Sequence, residues 1–121
     1  MRLSVLQNSP IPAYKQLYDQ IFAQIISGEL ETGAALPPIR TVSKELGISV
    51  ITVRSAWDAL LSEGLIETRA GSGSFVAELS RAEKERLRRK ALQKPLSELA
   101  SAARSLGFTA AETAEMVKDL L

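Results

Sequence analysis

Apolar residues in AYKQLYDQIFAQIISGEL recur at positions 14, 17, 18, 21, 22, 25 and 26. This i, i+3, i+4, i+7 spacing predicts a helix buried along one stripe and stopped at Gly28. The next segment, GELETGAALPP, is turn material with Gly33 and adjacent prolines. A second, short helix is predicted from about Pro38 to Leu46, with Ile39, Val42 and Leu46 on its apolar side. Proline suits the start of a helix because the missing N–H has no partner there in any case. Gly47 ends this helix and Ile48 packs back, as in a C-terminal glycine motif. Ser49 is a good cap for a third helix to about Glu63, since its hydroxyl can accept a free backbone N–H. Gly64 is the expected stop. LIETR and SFVAEL then read as two strands of a hairpin joined by AGSG.

The rest of the pattern is helical. Residues of about 80–94 form a charged helix, interrupted before Pro95. LSELASAARSLG forms a further piece, with Leu96, Leu99, Ala103 and Leu106 on one side. Thr109 and Glu112 match the capping box and open a last helix to about Leu120. Residues 1–11 carry no period and are expected to be an irregular arm. Two helices joined by the short turn Gly47-Ile48-Ser49 form a helix-turn-helix, and the hairpin adds a wing. The expected fold is mostly α with a small β-hairpin. An N-terminal arm (1–11) precedes a winged helix-turn-helix domain (12–78), and a helical dimerisation tail (79–121) follows.

One position breaks the pattern. On the third helix Val53, Ala56, Trp57 and Leu60 share a face, whereas Ile51 lies roughly opposite, beside Arg54, Ser55 and Asp58. An amphipathic helix should be polar there. Ile51 is therefore either a surface apolar residue of the ordinary kind or a contact to a partner.

Composition narrows the chemistry. The chain has 121 residues, enough for one domain with an appendage, and its 45% hydrophobic and 24% charged residues are ordinary for a globular protein. No apolar run approaches the roughly 18 residues of a transmembrane helix. The segment MRLSVLQNSPIPAYKQ has no apolar core or cleavage site of a signal peptide. No membrane partner and a cytoplasmic location are expected. Without cysteine or histidine, disulfides, thiolate or imidazole metal sites and the commonest general base are excluded. No acidic pair, nucleophile–base pair or phosphate loop stands out, so an enzyme is not expected and no cofactor is implied. AGSGS is glycine-rich but precedes a strand rather than a helix. The net charge of +1 is unevenly spread: residues 1–78 hold 6 basic and 8 acidic groups, and residues 79–95 hold 7 basic and 2 acidic.

The segment SGELETGAALPPIRTVSKELGISVITVRSAWDALLSEGLIETRAGSGSFV resembles the DNA-binding domain of the GntR family of bacterial transcription regulators. The landmarks are the SGEL…G…LP turn, an arginine shortly after LP, the LGIS–TVR turn and helix, the EGLIETR strand and the G-x-G-x-FV wing. The resemblance implies a sequence-specific regulator of double-stranded DNA, commonly a repressor. It implies that Arg40 reaches DNA from the second helix and Arg54 from the recognition helix, with Ser49, Thr52 and Ser55 near phosphates or base edges. Arg69, Gly71, Ser72 and Gly73 match the wing, whose tip approaches the minor groove. The sequence departs from the family where Val50 stands in place of a frequent arginine and Pro38 in place of a frequent serine. Val50 and Ile51 are then expected to meet thymine-rich positions, because an apolar side chain can sit against the thymine methyl.

Each residue also has a plainer reading. Arg54 could pair with Asp58 at i+4, Ser49 is first a helix cap, and Gly71 and Gly73 are first turn residues. Trp57, Tyr14, Tyr18, Phe22 and Phe75 are expected in the core. The basic run from Arg81 to Lys94 reads as a solvated helix face or as long-range attraction for DNA. LSELASAARSLGFTAAETAEMVKDLL looks like the two-helix tail of the YtrA subfamily, which implies a homodimer on a pseudo-palindromic operator. Leu96, Leu99, Ala103, Leu106, Phe108, Val117, Leu120 and Leu121 are the expected dimerisation residues. Folding back on the first helix is the alternative. A small-molecule effector would have to bind without a separate effector domain. The competing functions are a winged-helix module for protein–protein contact and a non-specific, nucleoid-type DNA binder.

Overall fold

A computed structural model describes residues 1–121. The chain divides into two compact units, Met1–Ser80 and Arg81–Leu121.

In the first unit, α1 (Ala13–Ser27), α2 (Ile39–Leu46) and α3 (Val50–Ser62) precede a two-stranded antiparallel hairpin of β1 (Ile66–Arg69) and β2 (Gly73–Val76). The α1 stripe buries Leu17, Ile21 and Ile25, and α3 buries Val53, Ala56, Trp57 and Leu60. These two helices pack on each other, and α2 and β1 also pack on α3. Leu36, Val42, Leu65, Ile66 and Val76 complete the core. The aromatic expectation holds only for Trp57. Tyr18, Phe22 and Phe75 are half-buried, and Tyr14 is exposed, because it stands in the first turn of α1 at the rim of the core. The Tyr18 and Phe22 rings stack with centroids 5.9 Å apart. Desolvation, reinforced by Glu63 and Asp19, pushes the Tyr18 phenol above its ordinary pKa.

The helix-turn-helix is locked by its turn. Gly47 takes a left-handed conformation (φ 66°), and the Ile48 N–H donates to the Ser43 carbonyl at 3.1 Å. The Ser43 hydroxyl donates back to the Ile48 carbonyl. The hairpin register pairs Ile66 with Val76, Glu67 with Phe75, Thr68 with Ser74 and Arg69 with Gly73. The second strand ends at Val76, short of the SFVAEL run. The free edge of β2 is covered by the segment before α2. Leu36 N–H donates to the Ser74 carbonyl at 2.9 Å, and Val76 N–H to the Ala34 carbonyl at 2.8 Å. The wing is thereby tied to the lead-in of the helix-turn-helix.

The arm is irregular but not loose. Gln16, Gln20 and Gln24, four residues apart on α1, hold alternate residues of the arm. Gln20 accepts from Ser4 N–H at 3.0 Å and donates to the Ser4 carbonyl at 2.7 Å. Gln16 does the same for Leu6 at 2.8 and 3.0 Å and also donates to the Ile11 carbonyl at 2.8 Å. Gln24 donates to the Arg2 carbonyl at 3.0 Å, but its Oε1 is buried without a partner.

The second unit consists of α4 (Arg81–Ser105) and α5 (Ala110–Leu120). The break expected before Pro95 is absent: α4 runs through it. Proline's own φ, about −65°, is helical. Its cost is local, one missing N–H and crowding of the preceding turn, and helix on both sides absorbs it. Gly107 (φ 82°) turns the chain, with Phe108 N–H donating to the Ala103 carbonyl at 2.9 Å. The capping box forms as expected: Glu112 N–H donates to Thr109 Oγ1 at 3.1 Å, and Thr109 N–H to Glu112 Oε1 at 2.9 Å. That backbone bond holds the Glu112 carboxyl below its ordinary pKa. An apolar groove of about 760 Å³ lies between α5 and the later part of α4. Leu96, Leu99, Ala103, Phe108, Val117 and Leu121 line it, whereas Leu106 and Leu120 do not and point to solvent.

If the glutamine ladder holds the arm, Gln20→Ala should raise the exchange rate of the Ser4 amide several-fold, and Gln16→Ala that of the Leu6 amide. Global stability should fall by only about 1 kcal/mol, the net worth of exposed hydrogen bonds. Amide exchange followed by NMR, alongside urea unfolding, checks both.

Candidate nucleic-acid interface

The buried face of α3 dictates what its other face presents. With Val53, Ala56, Trp57 and Leu60 turned inward, Ile51, Arg54, Ser55 and Asp58 are turned outward and exposed. Ile51 is 76% exposed, so it does not belong to the core. Val50 and Thr52 are half-buried beside it.

The hydroxyls at this end of α3 are engaged with the helix itself. Ser49 Oγ accepts from Thr52 N–H at 3.1 Å, which is the cap read from the sequence. The Ser49 and Thr52 hydroxyls lie 2.8 Å apart and share one hydrogen bond. Ser55 Oγ donates to the Ile51 carbonyl at 3.0 Å. Of the three hydroxyl protons, one lies in the Ser49–Thr52 pair and one on the Ile51 carbonyl.

The two arginines of the helix-turn-helix differ from the one in the wing. Arg40 on α2 and Arg54 on α3 are exposed and form no ion pair; the alternative Arg54–Asp58 pair is not made. Both line one cleft of about 320 Å³, together with Val50, Trp57 and the wing residues Ser72 and Gly73. Arg69, in contrast, is engaged within the hairpin. Its guanidinium lies 3.2 Å from Glu67 Oε1 and 4.2 Å from the centroid of the Phe75 ring. The register explains this: Arg69 faces Gly73, which has no side chain, and leans diagonally over Phe75. Gly71 and Gly73 both take positive φ, 74° and 103°, as the tight three-residue turn requires. Gly71 does not line the cleft.

The structure thus brings Arg40, Val50, Arg54, Ser72 and Gly73 together around the cleft and leaves Ile51, Thr52 and Ser55 on the adjoining helix face. The sequence reading did not include Ser74 and Trp57 in the site, although both line the cleft. Ser74 alternates in register with Phe75 along β2 and could have been found from the hairpin pattern; Trp57 reads only as core.

Residues 13–76 match the family described as "Bacterial regulatory proteins, gntR family". The chain belongs to the GntR family. Among curated relatives, it is 31% identical over 107 residues to the uncharacterized HTH-type transcriptional regulator YhcF of Bacillus subtilis, covering 88% of each chain. It is 40% identical over 75 residues to the HTH-type transcriptional repressor NagR of the same organism, covering 62% of this chain and 31% of NagR. The chain spans only 15% to 31% of the length of the first curated relatives it matches. Among solved structures, it superposes on YtrA from Sulfolobus acidocaldarius, a GntR-family transcription factor, with a TM-score of 0.62 and 30% identity over 78% of this chain and 97% of that one. It superposes on the AraR DNA-binding domain, solved in complex with operator ORX1, with a TM-score of 0.56 and 30% identity over 64% of this chain and 99% of that one. The fold is a winged helix-turn-helix of the GntR type, and no helix is long and apolar enough to cross a membrane.

Because Ser49 Oγ is committed to the α3 cap, Ser49→Ala should cost about 1 kcal/mol of stability, whereas Ser49→Asp, which preserves the cap, should cost little. Urea unfolding of the three proteins checks this.

Proposed function

We propose that this GntR chain regulates transcription by binding a double-stranded DNA operator, with α3 in the major groove and the wing along the adjoining backbone. The observation that carries this reading is the pair Arg40 and Arg54: two guanidiniums without internal ion partners opening on one cleft. Such groups suit phosphate or guanine, which they can grip bidentately. The exposed amino end of α3 adds backbone N–H groups suited to phosphate. The resemblance to the operator-bound AraR domain supports the same docking. Arg69, held by Glu67 and Phe75, serves the wing mainly as a rigid positive group, and Ser72 and Gly73 bring backbone close to the DNA.

We read the chain as a repressor of the YtrA type, on the strength of the relatives named as repressors and of the short tail. A homodimer formed through Arg81–Leu121 would place two winged units on a pseudo-palindrome, with half-site centres about 10 bp or a multiple apart. The support is energetic. No residue of α5 is buried, and Leu96, Leu99, Phe108 and Val117 leave an apolar groove that a second copy would cover. Binding would release when an effector altered the spacing of the two recognition helices.

Selection of bound fragments from genomic DNA tests the reading. One preferred palindromic site is expected. Arg40→Ala and Arg54→Ala should each lower affinity for it by roughly tenfold to a hundredfold, with the unfolding midpoint unchanged. Fluorescence anisotropy across a salt series measures this. Equal affinity for random duplex would favour the nucleoid-type binder, and no binding together with tolerance of both substitutions would favour a protein-contact module.

Sedimentation tests the assembly separately. The wild-type chain should run as a dimer at micromolar concentration, and Leu99→Asp with Val117→Asp should run as a folded monomer with weaker operator binding.

A further inference from the structure

The amino end of α3, from the Ser49 cap through its first two turns, carries three hydroxyls. Two of its three hydroxyl protons are used inside the helix: one in the Ser49–Thr52 pair and one in the Ser55 bond to the Ile51 carbonyl. The position between them is Ile51, a branched aliphatic side chain that is 76% exposed and outside the core. Val50 adds a second aliphatic group at the edge of the same turn, half-buried against the cleft. Arg54, one turn further along, supplies the adjacent free guanidinium. The tip of the helix therefore offers mainly methyl groups to a partner, flanked by positive charge that holds the partner's backbone.

In duplex DNA the apolar feature of the major groove is the C5-methyl group of a pyrimidine. We propose that α3 is a reader of the 5-methyl group itself: Ile51, supported by Val50, packs against a methylated pyrimidine in each half-site. This rests on the reading that α3 enters the groove, and it adds to the thymine preference expected from the sequence. A dispersion and burial contact recognises the methyl and not the base that carries it. Thymine and 5-methylcytosine then present the same surface to Ile51, and uracil and cytosine both lack it. Affinity for an operator with cytosine at that position becomes sensitive to cytosine C5 methylation, with methylation strengthening binding.

The test uses the full chain and the operator obtained by selection. Each thymine of the half-site is replaced in turn by uracil, which deletes one methyl and keeps every hydrogen-bonding group. At the thymine facing Ile51 the wild type should lose about fourfold in affinity per methyl, the size of one buried CH₂ group. At the same position, 5-methylcytosine should bind about fourfold more tightly than cytosine. Ile51→Ala should fold normally, since the side chain is exposed, and should bind thymine and uracil operators equally while keeping its dependence on Arg54. If the wild type selects an operator but tolerates uracil at every thymine, methyl reading is overturned while operator binding stands. An Ile51→Ala protein that keeps the full thymine–uracil difference also overturns it. If no sequence is selected at all, the DNA reading fails first and the methyl proposal fails with it.

Discussion

The packing of α1 against α3 fixes which face of the helix-turn-helix is turned outward. Leu17, Ile21 and Ile25 lie against the helix that buries Val53, Ala56, Trp57 and Leu60. A helix has one rotation that satisfies such a stripe. Once it is set, Ile51, Arg54 and Ser55 have no choice but to face outward. The Gly47 turn then fixes where α2 stands, and with it Arg40. Removing a large side chain from this contact costs about 2–5 kcal/mol, which matches a sizeable share of the whole stability of a small domain. The outward face of α3 is thus held by residues turned into the core.

The wing is positioned by a different means. It shares no long helix with the rest of the unit. The Val76 N–H donates to the Ala34 carbonyl and the Leu36 N–H to the Ser74 carbonyl, and with the Ala77 N–H donating to the Leu65 carbonyl at 3.0 Å these bonds bind the hairpin to segments on both sides. The segment that covers the β2 edge is the same one that leads into α2. The wing is therefore tied by backbone bonds to the segment that leads into the helix bearing Arg40.

Much of this was legible because local chemistry and global packing agree. The 14–26 stripe, the Gly47 turn, the Ser49 cap and the Thr109–Glu112 box each depend on residues within a turn or two of one another. The outward placement of Ile51 followed from helical spacing alone. What was hidden depends on pairings across the chain. The strap over β2 comes from a segment rich in small residues and prolines that carries no strand signal. The engagement of Arg69 needs the register that sets it opposite Gly73. The continuity of α4 through Pro95 went the other way: the local rule predicts a break, and a long helix with exposed turns on both sides overrides it. The tail residues were legible as apolar, but only the geometry separates those facing the groove from Leu106 and Leu120.

The amide rungs on α1 carry a built-in limit. Four helical residues advance about 6.0 Å, whereas two residues of extended arm advance about 6.7 Å, so the two rulers drift apart by about 0.7 Å at each step. On the alternating rungs Gln16 makes two bonds to Leu6, Gln20 two to Ser4 and Gln24 one to Arg2, and Gln16 adds one to Ile11. At the outer rung Gln24 Oε1 is buried without a hydrogen-bond partner. Fastening is firmest beside the entry to α1 and weakest toward Met1, so fraying of the arm starts from its outer end.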